Sequence, residues 1–434
     1  MAVIDLGERR DTATPAGPGP GRLLRRRAPA LVALLCLLAP AAAAPRPAQP
    51  PGVTIPVGPE ANVLLVGDVL LVAGPSGPDA VPGEDPVPRL TAHRLPSGRP
   101  LWRVPMPAPG QVLHTARVGD LMVLGLAGER TASWVVGLSV RDGGTRWRIE
   151  GRPGGVTPAG NLLVWGFDAA GASVLLAVDP ADGAVRWSRP LAEEDVRLSR
   201  RDERVHLLTV LAGGRLELRD PDTGAVRAAT AVPGRPRVLT VTRELVLLAD
   251  GAGGLSGYEI PALRRRWSVP GGPADQPDAF DCGVLICLED GSPAVRLLGP
   301  GTGADRWRLG NGAVLGSLGG RLLAARRASG GVAEHVLLDA ATGRPVRQLG
   351  RWQVGAPVTV SADGSVVRRR LRDGRLLVGR VDERGEGVRV LAVLRGVAGG
   401  CGVHGAFVVC RREGGGLGVW ELPDGPDGEA GAWR

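Results

Sequence analysis

The sequence contains no lysine among its 434 residues. A phosphate-cradling P-loop and a Schiff-base enzyme each need a lysine, so both classes are excluded. Aromatic residues are scarce, with one Tyr and three Phe, whereas single-stranded nucleic-acid sites stack bases on aromatic side chains. The net charge of +9 comes from arginine runs scattered along the chain, such as Arg264–Arg266 and Arg368–Arg370. We therefore predict no nucleic-acid binding.

Histidine and helical periodicity are also limited. The five histidines include no H-E-x-x-H motif or other paired spacing, which argues against a zinc hydrolase. An apolar stretch long enough for a helix occurs only near the N-terminus. Elsewhere, the 67 Gly and 38 Pro punctuate short apolar runs at regular intervals, as expected for strands joined by turns.

What the chain does have is a recurring turn. A glycine, or Leu263 in one copy, recurs at steps of 39 to 45 residues, and five copies carry a tryptophan four residues later. These tryptophans are Trp102, Trp147, Trp187, Trp267 and Trp307. Three further turns, at Gly224, Gly343 and Gly385, lack the tryptophan, and a ninth at Gly428 has Trp433 one position late. Periods of 20 to 50 residues indicate solenoids, propellers or arrays.

Each repeat reads as four short strands, including an apolar run before the turn, such as Val174–Asp179, and an alternating stretch after it. Four-stranded sheets of about forty residues are typical of β-propeller blades. We predict an all-β propeller of eight or nine four-stranded blades. The segment 354–394 is the least regular repeat and leaves the number open.

The five tryptophans are predicted to pack between neighbouring blades, where each flat indole fills a wedge-shaped gap. Burial of such a side chain contributes about 2–3 kcal/mol. The alternative, a stacking platform for sugars or bases, would require the five indoles to be exposed together on one surface. The segment Val53–Val57 resembles the strand that follows each turn. We expect it to complete the final blade, which otherwise has only three strands before the polar tail.

These tandem D-x-x-T-G-x-x-x-W units resemble the PQQ-like (pyrroloquinoline-quinone-type) propeller repeat over roughly residues 52–424. That repeat is shared by quinoprotein dehydrogenases and by outer-membrane-assembly lipoprotein propellers. A dehydrogenase would imply a PQQ cofactor and a calcium site of carboxylate and amide oxygens. The sequence has no adjacent cysteines, only three Asn (Asn62, Asn161 and Asn311), and no acidic cluster at a channel-lining position. The resemblance therefore favours the assembly branch, with no catalytic, cofactor or metal residue carried over.

The N-terminal region predicts a membrane attachment. Residues 1–21 form a cytoplasmic disordered arm, and residues 22–44 combine a basic patch with an uncharged run from Ala28 to Ala44. Residues 45–51 are a linker to the propeller at 52–434. The apolar length fits either an anchor or a signal peptide cleaved after Ala43. The basic residues place the arm in the cytoplasm, and we favour a retained single-pass anchor, with secretion as the alternative.

Four cysteines outside the apolar run form two local pairs, Cys282 with Cys287 and Cys401 with Cys410. Each pair falls in the first two strands of a repeat, so pairing within each hairpin is the simplest connectivity and implies an extracytoplasmic setting. A zinc site made of all four thiolates would require blades about three repeats apart to meet. The sequence as a whole predicts a monomeric, non-enzymatic propeller tethered at the cell envelope that binds a protein or glycan. A quinoprotein dehydrogenase is the alternative.

Overall fold

In the computed structural model, every regular element among the described residues is a β-strand. The structure describes residues 50–74, 88–128, 132–191, 195–201, 204–211, 213–234, 236–242, 244–250, 253–270, 277–327, 333–354, 366–382, 387–404 and 406–422. The predicted arm and anchor, the turn at Gly385 and the tail with Trp433 lie outside these ranges. Within them, the structure contains no helix with the length and hydrophobicity needed to traverse a membrane.

The strands follow one another in antiparallel units of four. β1 (Gly52–Ile55) precedes unit 1, which contains β2 (Asn62–Val66), β3 (Val69–Gly74), β4 (Arg89–Arg94) and β5 (Arg99–Pro105). Unit 2 contains β6 (Gln111–Val118), β7 (Leu121–Ala127), β8 (Trp134–Ser139) and β9 (Thr145–Val156). Unit 3 shares β9 and adds β10 (Leu162–Phe167), β11 (Ser173–Val178) and β12 (Val185–Pro190), so units 2 and 3 form one seven-stranded sheet.

The middle of the chain gives three separate four-stranded sheets. Unit 4 contains β13 (Asp195–Arg201), β14 (Arg204–Leu211), β15 (Arg215–Arg219) and β16 (Val226–Ala231). Unit 5 contains β17 (Arg237–Val241), β18 (Leu245–Ala249), β19 (Leu255–Glu259) and β20 (Arg265–Val269). Unit 6 contains β21 (Asp278–Asp281), β22 (Ile286–Glu289), β23 (Ala294–Leu298) and β24 (Asp305–Gly310).

The last units include the repeat that is least regular in sequence. Unit 7 contains β25 (Gly312–Leu318), β26 (Arg321–Arg327), β27 (Ala333–Asp339) and β28 (Pro345–Gly350). Unit 8 contains β29 (Gln353–Val354), β30 (Val366–Arg370), β31 (Leu376–Val381) and β32 (Val388–Leu394), so the irregular repeat does form four strands. Unit 9 contains β33 (Val397–His404), β34 (Phe407–Arg412) and β35 (Leu417–Glu421), completed by β1.

The burial pattern explains the sequence pattern of the central strands. All five residues of β18 are buried, because the second and third strands of a unit are covered on both faces by neighbouring sheets. Such strands read as continuous apolar runs instead of alternating ones. The fourth strands alternate between exposed and half-buried positions, as in β12 and β16. The first strands of neighbouring units contact one another, for example β17 and β21, so the fourth strands lie on the outside.

The sheets form a closed succession. Each unit shares an apolar cluster with the next, and one further cluster joins unit 9 to unit 1 through Ile55, Leu70 and Leu417. β1 pairs antiparallel with β35, with Val53 opposite Val419. A succession of radial four-stranded sheets without a free end is the architecture of a β-propeller, as the sequence predicts.

Candidate functional site

The five predicted tryptophans lie in the outer strands and reach into the following unit. Each indole Nε1–H donates a hydrogen bond to a backbone carbonyl there. The acceptors are Val140 for Trp102 (2.8 Å), Pro180 for Trp147 (2.7 Å), Asp222 for Trp187 (2.8 Å), Pro300 for Trp267 (2.8 Å) and Ala340 for Trp307 (2.9 Å). Trp102, Trp147 and Trp267 are 7–9% exposed, and the other two are half-buried. The five indoles therefore contact the neighbouring units, and their packing role stays a prediction.

The turn glycine of the next unit lies directly against the indole. A Cβ on Gly303 would lie 2.4 Å from Cε3 of Trp267, and one on Gly143 would lie 2.6 Å from Cε3 of Trp102. Both glycines also have positive φ, at 69° and 72°, where L-residues are disfavoured. The repeated glycine is therefore required by backbone conformation and by the indole of the preceding repeat.

The aspartate four residues before the glycine organises the turn. Asp339 accepts hydrogen bonds at Oδ1 from the Thr342 hydroxyl (2.6 Å) and from the Thr342 backbone N–H (2.8 Å). These bonds lower the pKa of the Asp339 carboxyl. At Asp179 the guanidinium of Arg186 is the main cause of a lowered pKa. The acidic and hydroxyl residues of the repeat thus act on their own turn, which explains their recurrence without a ligand.

The junction between units 4 and 5 departs from the pattern. The outer strand β16 has Ala228 where other repeats have tryptophan, and the next turn has Leu263 in place of glycine. Leu263 is 1% exposed, has a φ of 52°, and belongs to the apolar cluster against which Ala228 packs. The leucine side chain supplies apolar volume at the junction where the indole is missing.

Both cysteine pairs lie at disulfide-bond distance in the predicted local arrangement. Their Sγ atoms are separated by 1.94 Å for Cys282 and Cys287 and by 2.17 Å for Cys401 and Cys410. The first pair is almost completely buried, as is Cys410, whereas Cys401 is half-buried. The extracytoplasmic setting that this pairing implies stays a prediction.

A buried charged cluster joins units 3 and 4. The Glu217 carboxylate on β15 is only 5% exposed and pairs with the adjacent guanidinium of Arg219. Its oxygens also lie 3.0 Å from Nε of Arg215 and 3.7 Å from Nη2 of Arg189, which belongs to unit 3. Burying a charge is costly unless it is paired, and these cations provide the pairing. This cluster cannot be recognised in the sequence, because the alternation of charged and apolar residues in Arg215–Arg219 is also typical of a solvated face.

The described part of the chain shows no cluster of acidic, histidine and cysteine side chains suited to a metal ion. There, no three His, Cys, Asp or Glu side chains approach closely enough to hold a metal ion. The amide of Asn62 instead donates to the Val112 carbonyl at 2.6 Å, linking the inner strands of units 1 and 2.

The outer strand of unit 4 has an accessible edge. β16 ends the strand order of its sheet, and four of its six positions are exposed. Val226 at its start is 45% exposed, and Val185 at the start of the neighbouring β12 is 51% exposed. In natural proteins, proline or charged residues usually prevent an edge strand from pairing with another chain. β16 has no proline, and its one charged residue, Arg227, is held by Asp220, whose Oδ2 lies 3.1 Å from Nε.

Residues 57–207 match the family model of the outer membrane protein assembly factor BamB. These residues carry the PQQ-like repeat. The resemblance predicted from the turn and tryptophan spacing is thus confirmed, on the assembly-factor branch. The matched segment begins beside β1 and ends within unit 4.

Three solved structures align with this chain at low sequence identity. BamB from Moraxella catarrhalis is 14% identical, with 87% of this chain and 98% of that chain covered and a TM-score of 0.42. The computationally designed Ika8 protein is 13% identical, with 74% and 99% covered and a TM-score of 0.41. A chain of the mitotic checkpoint complex is 12% identical, with 62% and 88% covered and a TM-score of 0.38. No curated protein matches the sequence.

Proposed function

We propose that this chain is a non-enzymatic, nine-bladed scaffold propeller of the cell envelope that binds an extended segment of a protein partner along β16. The observation that carries the proposal is the accessible edge of β16, with small side chains at Ala229 and Ala231. An extended peptide can add to such an edge through main-chain hydrogen bonds. The match of residues 57–207 to an assembly factor supports a protein partner in the envelope.

The chemistry of the edge defines the kind of segment that fits. The strand has only small side chains at Ala229, Thr230 and Ala231, which protrude little from it. The partner strand can therefore carry branched or aromatic side chains opposite them. The exposed Val185 and Val226 lie at the same position of neighbouring turns and offer apolar contact beside the strand end. We expect an apolar, extended segment with little charge.

Photo-crosslinking in the native host tests this surface. A photo-reactive amino acid is placed at Ala229 in the full chain, and the matched control carries it at Ser268. Both positions are exposed and lie five residues after the turn residue of their repeat. We expect a discrete protein adduct from position 229 and at least fivefold less from position 268. Equal labelling at both positions, or no adduct at 229, would refute the β16 surface.

The proposed location is the outer side of a membrane, with residues 22–44 retained as a single-pass anchor. The intact mass of the protein isolated from its host distinguishes this from secretion. A chain that retains its N-terminal segment supports the anchor, whereas a mature N-terminus at Ala44 supports signal cleavage. In either case, incubation with PQQ and calcium is expected to give no dye-linked alcohol or sugar oxidation. Saturable oxidation would instead establish the dehydrogenase.

A further inference from the structure

The two disulfides occupy equivalent places in their units but have different surroundings. The Cys282–Cys287 bond lies at the beginning of unit 6. Both residues are no more than 1% exposed and belong to the apolar cluster shared with unit 7. Cys401 and Cys410 connect β33 with β34 in unit 9, and Cys401 is half-buried. Only the second bond therefore includes a cysteine that is not fully buried.

Three arginines of units 8 and 9 bind backbone carbonyls in this region, and one of them binds Cys401 itself. Arg368 on β30 donates from Nη1 to the Cys401 carbonyl at 2.5 Å, and Arg370 donates from Nη1 to the Val397 carbonyl at 2.8 Å. Arg411 follows Cys410 directly and donates to the Gly58 and Ala61 carbonyls at 2.6 Å. Among the described residues, these three side chains take part in no ion pair.

Arg368 and Cys401 also line the same small cavity between units 8 and 9, together with Val378, Val403 and Val408. The buried Nε of Arg368 has no hydrogen-bond partner within the described structure. A guanidinium near the attacked sulfur attracts the anionic thiolate of a reductant, and it stabilises the thiolate that Cys401 becomes when the mixed disulfide is resolved. A half-buried cysteine and a guanidinium therefore line the same cavity.

We propose that Cys401–Cys410 is a thiol-exchange site, opened in the folded protein by a dithiol reductant, whereas Cys282–Cys287 is a permanent structural bond. A thiolate of the reductant attacks Sγ of Cys401, forming a mixed disulfide and releasing Cys410 as a thiolate that takes up a proton. The second thiolate of the reductant then attacks its own sulfur in the mixed disulfide and releases Cys401. Two electrons pass to the protein, and the reductant leaves as its cyclic disulfide.

Cleavage of the Cys401–Cys410 bond removes a restraint from unit 9, whose sheet joins the two ends of the described chain. β33 contains Gly399, Gly400 and Gly402 around Cys401, and its pairing with β34 has two register shifts. The covalent bond therefore restrains an irregular strand pair that has few side chains to hold it. The same sheet contains β1, so the redox state of Cys401 sets the rigidity of the closing unit.

Differential alkylation tests the proposal on the full-length oxidised protein. Dithiothreitol is added under native conditions, new thiols are trapped at timed intervals, and each cysteine is quantified by mass spectrometry while tryptophan fluorescence reports the fold. We expect Cys401 and Cys410 to become labelled at least tenfold faster than Cys282 and Cys287, before any change in fluorescence. Equal rates for the two bonds, or opening only together with unfolding, would overturn the proposal.

Substitutions separate the effect of charge from that of access. R368Q is expected to slow opening of Cys401–Cys410 about threefold or more and to leave Cys282–Cys287 unchanged, while R369Q, at the exposed neighbouring position, serves as the control. R368K should restore most of the rate. An equal effect of R368Q and R369Q would reject the role of Arg368.

Two single-cysteine variants test the site even if substitutions of Arg368 impair folding. C410S leaves the half-buried Cys401, which should form a mixed disulfide with oxidised glutathione. C401S leaves the buried Cys410, which should react at least tenfold more slowly. Similar reactivity of the two variants would contradict the assignment of Cys401 as the attacked sulfur.

Discussion

At the scale of single residues, a turn glycine can be required both by its backbone conformation and by close packing against a side chain. Gly303 has a left-handed backbone and faces the indole of Trp267 at a distance that leaves no room for a methyl group. Gly320 also has a positive φ, of 80°, but a Cβ there would meet no atom within 4 Å. The chain therefore contains a matched pair in which backbone conformation and close packing can be separated.

Gly303→Ala is expected to destabilise the protein by about 2–5 kcal/mol, because overpacking against Trp267 adds to the cost of the left-handed backbone. Gly320→Ala should cost only about 1–2 kcal/mol, since backbone conformation alone is affected. Urea unfolding followed by fluorescence measures both values. Equal costs for the two variants would show that the indole does not constrain the turn.

His335 provides a pH-dependent contribution at the same scale. The side chain is 4% exposed, and burial lowers its pKa even though a hydrogen bond to the Gly350 carbonyl acts in the opposite direction. The unfolded chain therefore binds the proton more tightly. The stabilisation is complete above the unfolded pKa of about 6.5 and is lost as the pH falls through that value towards the lower folded pKa.

We expect the Tm of the native sequence to fall between pH 7 and pH 5 more steeply than that of His335→Gln, which has no titrating group at this position. Scanning calorimetry at several pH values measures the two slopes. Burial lowers the pKa of His93 as well, and because that group is unchanged in the variant, the difference in slope reports His335 alone. Parallel slopes would contradict the prediction.

At the scale of elements, the junction of units 4 and 5 tests how the repeat tolerates change. Ala228 and Leu263 together replace the pair of tryptophan and glycine found at five other junctions. Ala228→Trp alone should cost about 1–3 kcal/mol through overpacking, and Leu263→Gly alone about 2–5 kcal/mol through the cavity it leaves. The double variant should lose at least 1 kcal/mol less than the sum, because an indole and a glycine again face each other.

Urea unfolding of the four proteins in this cycle gives the coupling energy. Ala228→Trp with Gly320→Ala serves as a control pair, since Gly320 lies in unit 7, and should be additive. An additive result for Ala228 and Leu263 would mean that leucine does not occupy the volume of the missing indole.

Strand positions were predictable because their signals are local. Positive φ at the turns, alternation in the outer strands and apolar runs in the central strands can each be read from a few neighbouring residues. Other features depend on distant partners. Trp352 and Trp420 are 8% and 2% exposed but follow no turn of the repeat. β9 continues from unit 2 into unit 3 through Gly151, Gly154 and Gly155. In the sequence, this glycine-rich stretch resembles a loop.

The candidate sites were less predictable than the fold, for a physical reason. The repeat encodes contacts between neighbouring units, so its residues report packing and leave binding surfaces unmarked. The edge of β16 is visible only once the strand order is known. Likewise, the contrast between the two cysteine pairs depends on Arg368, which is separated from Cys401 by 33 residues.

At the scale of the whole molecule, the pairing of β1 with β35 links stability to both ends of the described chain. Ile55 is 1% exposed and lies in the cluster between units 9 and 1. Ile55→Ala is expected to lower the free energy of unfolding by about 2–5 kcal/mol and to increase hydrogen exchange in units 1 and 9 together. Val57→Ala, at a half-buried position beyond the strand, should cost less.

Hydrogen exchange followed by mass spectrometry resolves the two units. Increased exchange confined to residues 52–74, with unit 9 unaffected, would show that β1 is only an accessory strand. Increased exchange in both units would support closure as a shared property of the two ends.

Because β1 pairs with β35, the ring of sheets can close only after the last strand has been synthesised. A ribosome delivers β1 long before β35 exists, so about 360 residues must follow before the opening segment finds its sheet. During that interval eight units can assemble, while β1 and the side chains of unit 1 that pack against unit 9 stay uncovered. Nascent molecules therefore pass through an open state that is vulnerable to aggregation, and the strands of unit 9 end it.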